Sequence, residues 1–132
     1  MQAFRKAVEA GDLDAAVALL AEDVVFTSPV VFKPYTGKPV TEVILRTVAE
    51  VFEDFRYVRG IDDAGGRDHA LVFTARVGDR EIEGCDFVHV GDDGLIDELT
   101  VMVRPLSGAQ ALAAAMGARL ERIAREEGGR PA

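Results

Sequence analysis

The chain has 132 residues, 48% hydrophobic and 29% charged, with 23 acidic against 15 basic side chains and a net charge of −8. That length suits a single domain over residues 1–132 with a real core, and the acidic balance excludes nucleic acid and anionic membrane surfaces as natural partners, since both call for a basic face. No apolar run is long enough to span a bilayer, the opening "MQAFRKAVEAGD" carries charges where a leader needs an apolar stretch, and the lone Cys85 has no internal disulfide partner, so a cytoplasmic protein is expected.

Residues 2–10 place Phe4, Ala7 and Val8 on one side of a helix that Gly11 breaks. Asp12 stands as the N-cap of a second helix, in which Leu13, Ala16, Val17 and Leu20 recur at helical spacing. "VVFT" (24–27) is β-branched and aromatic and predicts a short strand. The proline-rich "SPVVFKPYTGKP" (28–39) predicts a loop, and Asp23 in "AEDVVF" is expected to cap or hydrogen-bond at the helix-to-strand turn that precedes the 24–27 strand. A third helix is expected over about 41–52, striped by Val43, Ile44, Thr47, Val48 and Val51.

From Phe55 the period changes to two, predicting strands near 55–62, 69–77, 81–90 and 95–104, joined by "DDAGG", "GDR" and "GDDG". Pro105 ends the last strand, and Ser107 with Gln110 forms a capping box that opens a C-terminal helix over about 107–126. Its stripe is Leu112, Ala113, Met116, Leu120 and Ile123, with Glu121 and Arg125 paired on the solvent side, and "EEGGRPA" reads as a disordered end. Helices gathered before a strand meander indicate an α+β fold with helices on one face of a curved sheet.

Alternation assigns the faces of that sheet. Leu71, Phe73, Ala75 and Val77, then Ile82, Gly84, Asp86, Val88 and Val90, then Leu99, Val101 and Val103 should look inward. Asp86 is the one ionisable group in this set. A carboxyl in apolar surroundings has a raised pKa because desolvation penalises its charged form. It then serves either in proton transfer or as a hydrogen-bonded structural group, and the sequence leaves both open.

"GDLDAAVALLAEDVVFTSPV", "YTGKPV" and "GCDFVHVGDDGLIDELTVMVRP" together resemble the nuclear transport factor 2-like superfamily, closest to its SnoaL-like and ketosteroid-isomerase-like members, over about residues 3–105. The resemblance implies a cystatin-like cone, in which a curved antiparallel sheet wraps the N-terminal helices around a mostly apolar pocket, here with an added C-terminal helix. It also implies a homodimer packed sheet to sheet, with Phe87, His89, Thr100 and Met102 on the outer side. Ketosteroid isomerase places its base before the proline that follows the first strand, where this chain has Ser28. Its oxyanion-hole tyrosine falls on Phe4, and its second oxyanion-hole group falls on Asp86. Limonene epoxide hydrolase, a relative with an Asp-Arg-Asp arrangement, is matched by Arg76 at its arginine, while Gly78 and Val101 stand near its carboxylate positions. SnoaL-like cyclases place an acid/base aspartate in the pocket, for which Asp86 is the candidate.

The candidate site is thus Asp86, with His69 at a strand start and Tyr57 beside Phe55 as further catalytic candidates. The pocket wall is expected from Phe4, Ser28, Leu71, Phe73, Ala75, Val88, Leu99, Val101 and Val103, with Thr27 ending the strand next to it. His69 also fits a strand-edge residue, Tyr57 a half-buried core residue, and Arg104 a surface or dimer contact. Two histidines without close spacing give no metal signature, "GIDDAGG" lacks the ligand order of a calcium loop, and no glycine loop precedes a helix to hold phosphate, so no cofactor is expected. Three readings follow: a small-molecule enzyme with isomerase, cyclase or hydratase chemistry on Asp86, a non-catalytic binder of a small apolar molecule, or an assembly module with a filled interior. The last helix either covers the pocket mouth or packs on a second subunit.

Overall fold

The computed structural model describes residues 1–128, with side chains through residue 123. The order is α1 (Gln2–Glu9), α2 (Leu13–Ala18), β1 (Leu20–Thr27), β2 (Tyr35–Thr36), α3 (Lys38–Val51), β3 (Glu53–Asp62), β4 (Asp68–Val77), β5 (Arg80–Val90), β6 (Ile96–Arg104) and α4 (Leu106–Gly128). The strands form one six-stranded sheet in the order β2-β1-β6-β5-β4-β3. It is a mixed sheet: the β3–β6 meander is antiparallel, and β1 joins its far edge parallel to β6. The sheet curls around α1 and α3 without closing.

Local chemistry accounts for most boundaries. Asp12 caps α2 by accepting a hydrogen bond from the Ala15 amide at 3.1 Å, as its position predicts. Leu20 belongs to β1 and not to the helix stripe expected for it. Its strand pairs with β6 through Leu20 opposite Ile96, and the Ile96 amide donates to the Leu19 carbonyl at 2.8 Å. This pairing overrides the helical preference of "LAED", because propensity is a weak prior against tertiary pairing. The expected 28–39 loop contains β2, which pairs with β1. Gly37, at φ +109°, then turns the chain into α3 three residues earlier than expected. Thr41 and Thr47 are buried in α3, and each hydroxyl donates to a carbonyl one turn back, Gly37 at 2.8 Å and Val43 at 2.6 Å.

At the other end, Ser107 lies inside the first turn of α4 and not before it, so the expected capping box does not open the helix; the Ala109 amide bonds the Pro105 carbonyl instead. The Glu121–Arg125 pair and the tail beyond residue 128 lie outside what the structure describes. Among the described residues, no helix is long and apolar enough to cross a membrane.

The inward set on β4, β5 and β6 faces the helices. Leu71, Phe73, Ala75, Val77, Ile82, Val88 and Leu99 are buried there, joined by Phe4, Val24, Phe26, Ile44 and Leu112. Val101 and Val103 are partly buried against this core.

Gly84 sets the arrangement of the inner face. It lies opposite Phe73 on β4 and Val103 on β6. A Cβ at this position would meet Phe73 Cζ at 2.3 Å and the Met102 carbonyl oxygen at 2.7 Å. The Phe73 ring therefore lies flat across the backbone of β5, in room that only glycine leaves. Gly84→Ala should lower stability by about 1–3 kcal/mol, the usual cost of overpacking. Thermal melting would read this as a drop of several degrees, and an unchanged melting temperature would mean that the ring moves aside freely.

Candidate functional site

Asp86 sits on β5 with Leu71 directly opposite on β4 and Val101 directly opposite on β6. Both neighbours are apolar, and Asp86 is only 8% exposed. Its partner comes from farther along the sheet. Tyr57 on β3 pairs in register with Phe73 on β4, and its hydroxyl reaches past that strand to donate to Asp86 Oδ2 at 2.6 Å.

Aromatic packing aims the hydroxyl. Phe55 and Phe73 both meet the Tyr57 ring edge to face, at 5.0 and 6.4 Å between centroids. Phe55 and Phe73 also pack on each other and on Phe52. The Arg5 guanidinium lies 5.9 Å from the Tyr57 ring centre, and its Nη2 donates to the Tyr57 carbonyl at 3.4 Å.

Burial drives the electrostatics. Desolvation pushes the Asp86 carboxyl from its ordinary 3.8 up to about 6, and the Tyr57 hydrogen bond, which favours the charged form, pulls the other way. The same burial and the facing carboxylate push the Tyr57 phenol far above its ordinary value, so it remains a donor. Among the described residues, Tyr57 is the one side chain that donates to Asp86. No buried side-chain oxygen lacks a partner among them. Asp86 also lines the space above it.

That space is a cavity of about 460 Å³ under α3 and α4. This volume is in the range of small-molecule sites. Of the residues predicted for its wall, Phe4, Ser28, Phe73, Leu99 and Val101 line it, together with Asp86 and Tyr57. Leu71, Ala75 and Val88 point inward but belong to the packed core around it, and Val103 lies partly buried against that core. α4 contributes Leu112, Ala113, Met116 and Leu120 to the wall, and of these Leu112 is buried. Tyr35 is also on the wall, its ring 6.4 Å from Phe26. Sequence reasoning left it in a loop, although the pairing of "YT" with β1 fixes its place.

Other candidates lie elsewhere. His69 is not on the cavity wall. Its Nδ1 is 2.6 Å from Asp62 Oδ1 and its Nε2 is 3.0 Å from the Gly66 carbonyl oxygen, so both ring nitrogens hold the β3–β4 turn. Ser28 is on the wall, but its Oγ accepts from the Val30 and Val31 amides at 3.2 and 2.9 Å and donates to the Val31 carbonyl at 3.4 Å. It caps its own loop, and no base stands beside it to activate it. Phe4 is buried and carries no hydroxyl. Arg76 pairs with Asp54 and Glu53 outside the cavity, and Arg104 pairs with Glu83 on the surface. Asp23 is exposed within β1. The cavity wall thus carries four polar side chains, Ser28, Tyr35, Tyr57 and Asp86, of which Tyr57 and Asp86 are hydrogen-bonded to each other.

The pattern of the SnoaL-like domain family matches residues 1–99. A steroid delta-isomerase from Pseudomonas aeruginosa is 48% identical and superposes with a TM-score of 0.85 over 89% of this chain and 86% of that one. A cystatin-like protein from Silicibacter pomeroyi is 37% identical, with a TM-score of 0.87 over 94% of this chain and 86% of that one. A proposed polyketide cyclase from Pseudomonas putida shares the fold at 20% identity, with a TM-score of 0.67 over 81% and 90% of the two chains. No match was found among curated proteins.

The raised Asp86 has a cost that depends on pH. Between pH 3.8 and about 6 the folded state holds a proton that the unfolded state has released, so stability falls as pH rises through that window and then levels off. At about 1.4 kcal/mol per pH unit, the penalty at neutral pH is about 3 kcal/mol. Asp86→Asn keeps an oxygen for the Tyr57 hydroxyl and cannot ionise. It should match the wild-type melting temperature near pH 4 and exceed it near pH 7.5. A gap that does not vary with pH would mean that Asp86 titrates like an exposed carboxyl.

Proposed function

The chain belongs to the SnoaL-like domain family, and from that premise we propose that it binds a small, largely apolar molecule in the cavity and transfers a proton to or from it through Asp86. The observation that carries this is a single carboxyl, buried and held by one tyrosine, on the wall of an apolar cavity. A carboxyl near 6 is ionised for the most part at neutral pH yet easily protonated. Such a group can take a proton and give it back within one cycle, which matches its pKa to the task.

In the reaction we propose, the ionised Asp86 takes a proton from an activated carbon of the ligand, one next to a carbonyl. The bond electrons move into the ligand as an enolate, and Asp86 becomes a neutral acid. Tyr57 keeps the carboxyl oriented through Oδ2 in both states. Asp86 then returns the proton at a second carbon, and the net change is an isomerisation that needs no oxidant or cofactor. The 48% identical relative described as a steroid delta-isomerase favours this class. With Ser28 and Phe4 at two positions of the ketosteroid isomerase arrangement, acid/base work falls to Asp86 alone. Binding without chemistry is the second reading, favoured by how few polar groups the wall carries.

Apolar ketones and enones, screened by thermal shift, should include compounds that raise the melting temperature; at a hundred times Kd the stabilisation is about 2.7 kcal/mol. For a compound that is turned over, Asp86→Asn should cut kcat by at least about a hundredfold while the thermal shift persists. Full turnover by Asp86→Asn would remove Asp86 from the chemistry, and binding without turnover by the wild type would favour the second reading.

We also propose a homodimer through the outer sheet face, where Phe87 and Met102 stand 43% and 58% exposed. Side chains of this size on a sheet surface gain by being covered. Phe87→Glu should give a monomer by light scattering; a persistent dimer would place the contact elsewhere.

A further inference from the structure

Away from the cavity, three strands bring an imidazole and several carboxylates together on the outer face. Asp68 on β4 and Glu98 on β6 lie directly opposite His89 on β5, one on each side. The β5–β6 ladder then slips: His89 pairs with Glu98, but Val90 pairs with Ile96. Asp97 is the extra residue of this bulge. Two residues of β6 therefore oppose one of β5, and a bulge of this kind re-aims a side chain. Asp97 Oδ1 comes to 2.6 Å from His89 Nδ1, and Glu98 Oε2 stands 3.9 Å from the same nitrogen. Gly91 leaves room for the other oxygen of Asp97, which a Cβ there would meet at 3.0 Å.

We propose that His89, Asp97 and Glu98 form a binding site for a divalent transition metal ion, with zinc the best fit. One ligating atom from each lies within 4.8 Å of the others. Zinc takes imidazole nitrogen and carboxylate oxygen at about 2.0–2.2 Å, which sets ligands around it at roughly 3.3 Å from one another. The Nδ1–Oδ1 contact has to open slightly and the Glu98 contact to close slightly, both by side-chain rotation. Water fills the remaining positions. An imidazole donor disfavours magnesium and calcium, which take oxygen ligands.

Charge supports the same assignment. Among the described residues, Asp97 and Glu98 have no ion-pair partner but His89, and Asp68 has none. Even with the imidazole protonated, the cluster is anionic. A metal ion bound there neutralises the excess charge. The site sits on the outer face and is independent of Asp86 and of the cavity chemistry.

Isothermal titration of tag-free protein with zinc chloride at pH 8 tests this. One zinc ion per chain should bind with a micromolar Kd, and magnesium chloride should give no heat. His89→Ala and the near-isosteric Asp97→Asn should each weaken zinc at least tenfold while melting normally in the absence of metal. Wild-type protein that takes up no zinc would overturn the proposal, as would variants that bind like wild type, which would place the ion at another donor such as Cys85. Should His89→Ala fail to fold, Asp97→Asn alone decides between these outcomes.

Discussion

The hydrogen bond from Tyr57 to Asp86 is the constraint around which the inner face is arranged. A carboxyl placed between Leu71 and Val101 loses its hydration, and without a partner that loss would cost several kcal/mol. One phenol recovers part of it. The remainder survives as a raised pKa, so the folded state carries a standing electrostatic debt at neutral pH. A packed Leu or Val in place of Asp86 would remove that debt and keep the sheet.

The bond depends on packing at some distance from it. Gly84 lets Phe73 lie across β5, Phe73 and Phe55 set the plane of Tyr57, and Arg5 of α1 covers its ring. α1 is thus tied to the site by a cation over an aromatic face, and α3 and α4 supply the apolar roof. The elements that form the core and those that aim the hydroxyl are the same. Loosening one residue of the aromatic cluster would move the donor before it unfolded the sheet.

Much of this was legible in the sequence. Strict alternation from Leu71 to Val77 and from Ile82 to Val90 fixed which side faces inward, and with it the inward place of Asp86. The family resemblance supplied the cone, and the match over residues 1–99 bears it out. What the chain did not disclose depends on pairing between distant segments. Leu20 looks helical until β6 lies beside it, and Tyr35 looks like loop until β1 pairs with it. His69 shares the parity of Leu71 and Phe73, yet a turn carbonyl and Asp62 claim its ring at the sheet's end. The Tyr57–Asp86 contact spans two strands diagonally, and no one-dimensional spacing encodes that reach.

Asp86 and His89 on β5 face opposite sides of the sheet, and the two show how one strand can treat charge in opposite ways. Asp86 looks inward, where low polarity favours the neutral acid. His89, three residues on, looks outward into carboxylates, where the charged imidazole is favoured. Spacing alone would have both titrate near their ordinary values. The difference comes from the curl of the sheet, which gathers apolar groups on the concave side, and from the bulge at Asp97, which crowds acids on the convex side. The inner group loses water, and the outer group keeps it while collecting charge. Both raised pKa values are thus products of one curved surface, and neither requires the other, so the cavity chemistry and the outer cluster are physically separable.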